Sequence, residues 1–287
     1  MRLVFFGAGA SFGSEPCALV PPLGAKLFDE LVRFAPSSWG RLPVSWQAQF
    51  RADFEPAMAA FINAGGFGAP LQWDMAEYFY TQFTATISSA YCELVRRLSS
   101  RIEQYLFVTI NYDMLLFQAR ALAGVPSEKF AVCLPHGNSC LRCVGISASG
   151  GVSFTGGIST GGEVRPIRDL AEFRSEKAQN VFPPVMSYFE PNKFTVSCSN
   201  FINAERTRFE KEVLAAERVA IVGVRVHLVD RHIWEPLAKT TAKLLYLSGP
   251  SAVSDFSTWA SGHARVGDLT VPKYFRDGLA DLIGFLS

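Results

Sequence analysis

The chain has 287 residues and carries 27 basic against 26 acidic side chains, a formal net charge of +1. That balance gives no overall electrostatic case for binding nucleic acid or a membrane surface, while 49% hydrophobic content is enough for a substantial core in one large domain. No apolar run approaches the roughly 18–20 residues of a membrane span, and the one after Arg2 is cut at Gly7, short of the ~7–15-residue core of an export signal; a soluble, cytoplasmic protein is expected.

The first element is a short apolar strand, Leu3–Phe6, running straight into Gly7-Ala8-Gly9-Ala10-Ser11. Glycine at 7 and 9 lets backbone N–H groups come close to a diphosphate, and a helix N-terminus behind such a turn favours the same charge; a helix starting near Ala25 is available for that. A G-x-G alone is weak, since glycine also serves turn geometry, and Ser11 is an ordinary helix N-cap type. From Phe34 to Arg101 apolar residues recur at three and four positions, which predicts helices over 50–55 and 56–62 and a long one from Asp74 to Tyr105, with Gly65–Pro70 as a loop. Tyr105–Ile110 is an unbroken apolar and β-branched run of the kind buried on both faces of a parallel sheet, and it ends at Asn111-Tyr112-Asp113. A further strand, Phe130–Leu134, ends at Pro135-His136-Gly137. Residues 145–166, rich in Gly, Ser and Thr, predict a hairpin or loop, followed by a polar segment to Asn180. A charged helix over 201–217 leads to the strand Val219–Gly223, and residues 238–242 precede the last buried strand, Lys243–Leu247, which ends at Ser248-Gly249.

Buried strands alternating with helices predict an α/β fold with a doubly wound parallel sheet, in which ligands collect at the carboxyl edge of the strands. The polar residues fall at that edge. Asn111 can orient a ribose or a water, Asp113 can accept a hydrogen bond, and His136, which titrates near neutral pH, can serve as a general base. Asn111-Tyr112-Asp113 is equally a turn or helix-cap sequence, and a His before Gly is commonly a loop residue. Asp230 and His232 read as caps of a helix running to Ala242. Of the six cysteines (Cys17, Cys92, Cys133, Cys140, Cys143 and Cys198), only Cys140 and Cys143 have metal-ligand spacing and no second close pair exists, so no metal is expected; with no export signal, reduced thiols are expected rather than disulfides.

Taken in order, Gly7-Ala8-Gly9-Ala10-Ser11, Thr109-Ile110-Asn111-Tyr112-Asp113 and Pro135-His136-Gly137 resemble the signatures of the sirtuin-like superfamily, specifically its bacterial NAD-hydrolase branch. Pro22-Leu23-Gly24 with the Leu-rich helix after it is similar to that family's first loop, and Val219–Gly223 to its late strand. The resemblance implies a single Rossmann-like domain over 1–287, with an inserted helical subdomain at about 34–104 and a loop-rich or hairpin insertion at about 144–200. It implies Asn111 and His136 as the catalytic pair, with Asp113 added as a hydrogen-bond acceptor, and Gly7, Ala8, Gly9, Ala10, Ser11 and Gly223 as binding residues for NAD, to which Arg225, as a partner for a cofactor phosphate, and Ser248, at a strand end, are added. Three departures stand out: of the two cysteine pairs of the deacylases' zinc module only Cys140 and Cys143 have a counterpart, Val185–Pro191 lacks the glycine expected after Phe189, and Arg225 stands where a small hydroxyl residue is common. NAD glycohydrolysis is therefore the leading expectation, as an effector in antiphage defence that works as a homo-oligomer or with a regulatory partner such as an ATPase or an Argonaute-like sensor. The runners-up are a NAD-dependent protein deacylase or ADP-ribosyltransferase, and a non-catalytic NAD or ADP-ribose sensor.

Overall fold

Apolar runs bounded by glycine and polar residues become strands, and amphipathic stretches become helices that cover them. The computed structural model describes residues 1–15, 20–66, 68–144, 162–179, 182–187 and 198–287. The first half contains β1 (Arg2–Phe6), α1 (Ala8–Phe12), α2 (Gly24–Phe34), α3 (Val44–Ala52), α4 (Phe54–Asn63), α5 (Ala69–Thr81), α6 (Ala90–Leu98), β2 (Tyr105–Thr109), α7 (Leu115–Leu122) and β3 (Val132–Cys133). There follow β4 (Leu141–Val144), β5 (Glu163–Pro166), α8 (Leu170–Gln179), α9 (Ser199–Ala215), β6 (Arg218–Val222), α10 (Arg231–Lys239), β7 (Lys243–Ser248), α11 (Pro250–Gly262), β8 (Leu269–Pro272) and α12 (Leu279–Leu286). The chain divides into two compact units, one of residues 1–21, 83–135 and 205–287, the other of residues 22–82 and 136–204.

The first unit holds a six-stranded sheet in the order β3-β2-β1-β6-β7-β8, every pair parallel. Side chains alternate across a strand, so Leu3 and Phe5 face one side of the sheet and Val4 and Phe6 the other. The first side packs Val108, Ile221, Leu244 and Tyr246 against Phe209 and Val213 of α9, Trp234 of α10 and Phe256 of α11. On the opposite side the Phe6 ring meets Tyr91 of α6 edge-on at 5.0 Å and Phe275 at 5.7 Å. With both faces covered the strands read as continuous apolar runs, which is why sequence finds them. The chain steps from β1 outward to β2 and β3, then returns to the other side of β1 with β6, placing the topological switch point between β1 and β6.

In the second unit an aromatic cluster joins α2, α3 and α4: Phe28 stacks on Phe50 at 5.6 Å, and Trp39 meets Phe50 edge-on at 5.4 Å and stacks on Phe54 at 5.6 Å. Phe173 of α8 packs between Trp73 and Tyr80 of α5, where Lys177 also reaches Asp74 and Glu77 at 2.5 and 2.7 Å. Strands β4 and β5 form an antiparallel pair. The segment connecting them, 145–161, which belongs to the predicted hairpin, lies outside the described residues, as do residues 188–191 of the stretch Val185–Pro191.

Several expectations are corrected. The helix predicted over Asp74–Tyr105 is broken: α5 stops at Thr81, and α6 starts afresh after Ser89, whose hydroxyl caps it by accepting from the Cys92 N–H at 3.0 Å, followed by a 3₁₀ turn at Ser99–Gln104. The strand predicted over 130–134 pairs only at Val132–Cys133. The helix after Asp230 ends at Lys239 rather than Ala242 because Thr240 is extended and its hydroxyl bonds the Val213 carbonyl at 2.7 Å. Asp230 holds the N-cap position of that helix without a side-chain capping bond. The expectation of reduced thiols fails at one pair: Cys143 at the end of β4 and Cys198 before α9, with Cα atoms 5.8 Å apart, form a disulfide. Cys92, Cys133 and Cys140 are free and buried, and Cys17 lies outside the described residues. No apolar run marks β8, whose side chains are mostly exposed.

Glycine is mandatory at the end of β6. Gly223 has φ +61° and a Cβ there would sit 2.0 Å from the Ala10 nitrogen. Gly223→Ala is expected to destabilise the protein by about 3 kcal/mol or more, whereas Gly284→Ala, in α12 with nothing within 4 Å of the new methyl, should stabilise it by about 0.5–1 kcal/mol. Urea denaturation of the two variants checks both signs.

Candidate active site

The ends of β1 and β6 are tied together by their backbones. Gly7 N–H donates to the Val222 carbonyl at 3.0 Å, Gly9 N–H to the Gly223 carbonyl at 2.9 Å, and Gly223 N–H to Leu247 at 2.9 Å. A Cβ at Gly7 or Gly9 would come within 2.7 or 2.9 Å of the Gly223 carbonyl oxygen. The glycines are thus required by this close approach of two turns. Ala10 N–H is also used internally, on the Gly7 carbonyl at 2.9 Å. The turn winds directly into α1, so the helix behind it is this five-residue one, and α2, which the sequence offered for that place, belongs to the second unit. Ala8 is exposed at the start of α1.

Asn111 follows β2 and is brought beside this turn by the parallel register, with Ile110 N–H donating to the Phe6 carbonyl at 3.1 Å. Its Nδ2 donates to the Gly7 carbonyl and to Ser11 Oγ, both at 2.9 Å, and lies 3.4 Å from the Tyr91 hydroxyl. A carbonyl can only accept, so the Gly7 bond fixes which side of the amide faces the turn. Nδ2 is thus committed to groups of the protein itself. Ser11 is fully buried inside α1, not at its N-cap, and its Oγ lies 3.1 Å from the Tyr91 hydroxyl.

Asp113 is buried, and its Oδ1 accepts from Leu115 N–H at 3.0 Å at the start of α7, the local turn bond its position suggests. Burial pushes its carboxyl up to about 6, opposed by hydrogen bonds from the Ser11 hydroxyl and the backbone N–H groups of Leu115 and Asp113 itself. Tyr91 is the site residue that sequence reasoning misses: on an amphipathic helix it reads as packing, and only its hydroxyl's partners reveal another task. Burial, with Asp113 and Glu15 nearby, holds its phenol well above the usual range, so it stays neutral.

Ser248 ends β7 and is partly buried. Arg225, two residues past Gly223, is exposed, and its guanidinium makes no hydrogen bond or ion pair among the described residues. Tyr246 braces the intervening segment, its hydroxyl donating to the Val224 carbonyl at 2.5 Å. A cavity of about 510 Å³ elsewhere in the first unit is lined by Trp234, Trp259 and charged residues of α10, none of them a site residue expected from the sequence.

His136 opens the second unit and is buried there. Its carbonyl accepts from Ser187 N–H at 2.9 Å, and Asn138 N–H donates to Val185 at 3.0 Å. Gly137 has φ +73°, and a Cβ on it would lie 1.9 Å from the Val185 carbonyl oxygen, so the Gly after His136 is a packing necessity. Cys143 is taken by its disulfide, and burial pushes the Cys140 thiol up to about 12, so this pair presents no thiolate.

The parallel sheet, its switch point and helices on both faces define a Rossmann-like α/β protein. No protein-family model matches the sequence, and no curated protein matches it. Among solved structures, the chain is similar to that of a crystal structure of a Sir2 homolog–NAD complex, with a TM-score of 0.46 and 13% sequence identity, covering 99% of this chain and 88% of that chain.

The raised carboxyl of Asp113 predicts a pH-dependent stability. Between pH 4 and 6 the folded state holds a proton that the unfolded chain has released, so stability falls as pH rises through that window and is flat above it. Relative to Asp113→Asn, the wild type should lose about 3 kcal/mol between pH 4 and 7 in urea unfolding.

Proposed function

We propose that this chain hydrolyses NAD to nicotinamide and ADP-ribose. The observation that carries the reading is the locking of Asn111, through Gly7 and Ser11, at the carboxyl edge of the sheet beside the β1–β6 switch point. An amide held from both the backbone and a buried hydroxyl is preorganised to position a reacting sugar. The sequence signatures support the same reading.

NAD enters as substrate. The bond between the nicotinamide nitrogen and the ribose breaks with its electron pair leaving on the nitrogen, which turns the cationic ring into neutral nicotinamide. Positive charge builds on the sugar, water adds at the anomeric carbon, and one proton is released. Asn111 Oδ1 orients the ribose or the incoming water, Asp113 stabilises the developing positive charge as a carboxylate, and His136 accepts the proton. Because the N–H groups of Gly7, Gly9 and Ala10 are engaged within the protein, the diphosphate is assigned mainly to Arg225, whose exposed guanidinium can pair with it bidentately. Ala8 of the turn, together with Gly223 and Ser248 at neighbouring strand ends, makes up the rest of the NAD contact. On this reading the chain is a regulated effector of bacterial antiphage defence, cytoplasmic, restrained by homo-oligomer assembly or by a partner such as an ATPase or an Argonaute-like sensor.

Nicotinamide release, followed chromatographically with the protein alone and with the product of its neighbouring gene, tests this. The wild type should convert NAD without any acyl-lysine peptide. Asn111→Ala and His136→Ala should each lose about 100-fold or more in kcat, and Arg225→Ala should raise KM about 10-fold with kcat little changed. NAD left intact under both conditions, or turnover that both active-site variants retain, overturns the assignment.

A further inference from the structure

The segment that carries His136 is knitted to β4 by backbone bonds within the second unit. Ser187 N–H donates to the His136 carbonyl at 2.9 Å, Asn138 N–H to Val185 at 3.0 Å, and Val185 N–H to Leu141 at 2.8 Å. β4 in turn pairs with β5 in a two-stranded sheet, an arrangement only marginally stable by itself. Its far end is fastened to the start of α9. The Asn200 side chain there donates to the Gly162 carbonyl at 3.0 Å and accepts from Gly162 N–H at 3.2 Å, and Cys198 is bonded to Cys143. Gly162 leaves room for that bond, since a Cβ on it would lie 2.7 Å from Cys143 Sγ.

Two features set the disulfide apart from a permanent staple. Cys198 has φ +51°, a left-handed conformation that costs free energy for any residue with a Cβ, and it holds it while its carbonyl accepts from Phe201 N–H at 3.0 Å in the first turn of α9. The second is the place of its sulfur, 3.7 Å from the Glu163 carbonyl oxygen. A disulfide sulfur has no hydrogen to give, whereas a thiol at that place donates one. Reduction therefore adds a hydrogen bond and frees a strained backbone, and both favour the open form relative to an unstrained disulfide.

We infer that the Cys143–Cys198 bond is a redox switch that sets how firmly the His136 segment is held, closed by oxidation and opened by a thiol reductant. Its consequence for turnover rests on the hydrolase reading, while the change in the segment does not. Cys198 is fully buried and Cys143 half-buried, so a thiolate of the reductant attacks the Cys143 sulfur. The electron pair of the broken S–S bond leaves on the Cys198 sulfur, which takes a proton. A second reductant thiol then displaces Cys143 from the mixed disulfide. Two electrons and two protons end on the two cysteines, and the reductant is left as its own disulfide. Cys140 is a poor competitor in this exchange, because burial pushes its thiol up to about 12.

The full chain, equilibrated in glutathione buffers and then alkylated, tests this by mass spectrometry. Excess reduced glutathione should open the bond in the folded protein, giving two new thiols at Cys143 and Cys198, under conditions where a permanent disulfide stays closed. Hydrogen exchange at the amides of Asn138, Val185 and Ser187 should become about 10-fold faster on reduction. Cys143→Ser should show the fast exchange with or without glutathione. With NAD, kcat should fall about 10-fold on reduction while KM stays within about twofold. A bond that glutathione leaves closed, amides that exchange equally in both states, or a Cys143→Ser variant that still responds to glutathione overturns the inference. Exchange needs no turnover, so if the wild type fails to cleave NAD the hydrolase reading falls, and the amides alone decide for or against the switch.

Discussion

The close backbone contact between the turns after β1 and β6 is the constraint on which the site depends. Gly7 and Gly9 on one side and Gly223 on the other allow two chain segments to approach within hydrogen-bonding distance where any side chain would collide. That contact fixes the Gly7 carbonyl, which then aims the Asn111 amide, and the winding of α1 buries Ser11 beneath it. Asn111 and Ser11 are positioned from this one junction, while Asp113 is held at the start of α7 and Tyr91 is carried in by α6. The cluster's cost in free energy lies in the buried carboxyl of Asp113, and the hydrogen bonds gathered round that group offset only part of it.

Much of the sheet was legible because its central strands are buried on both faces, so apolar runs ending in Gly, Asn or Ser mark them without ambiguity. Asn111 was legible for the same reason, as an amide that closes such a run. The strands that escaped or shrank are at the edges: β8 is mostly exposed and β3 pairs over two residues only. The break between α5 and α6 was hidden because the residues across it keep enough apolar spacing to imitate a continuous helix.

Other features lie beyond a one-dimensional reading. Tyr91 sits among apolar helix positions, and the task of its hydroxyl is set by Ser11 and Asn111, 80 and 20 residues away. The Cys143–Cys198 bond joins positions 55 residues apart, and cysteine spacing gives no hint of it. The glycine-rich turn was legible in sequence, and the structure adds a second reason for its glycines. Its glycines answer to another backbone, and the proposed reading gives the phosphate instead to Arg225, which is exposed and unpaired among the described residues.

The central claim is that NAD is held at the carboxyl edge of this sheet with its reacting ribose against Asn111. A crystal structure of the His136→Ala variant with NAD tests it most directly. The account predicts density for the nicotinamide ribose within hydrogen-bonding distance of Asn111 Oδ1 and for the diphosphate at Arg225. Dinucleotide bound elsewhere, for instance in the cavity beside Trp234 and Trp259, with Asn111 untouched, would contradict it.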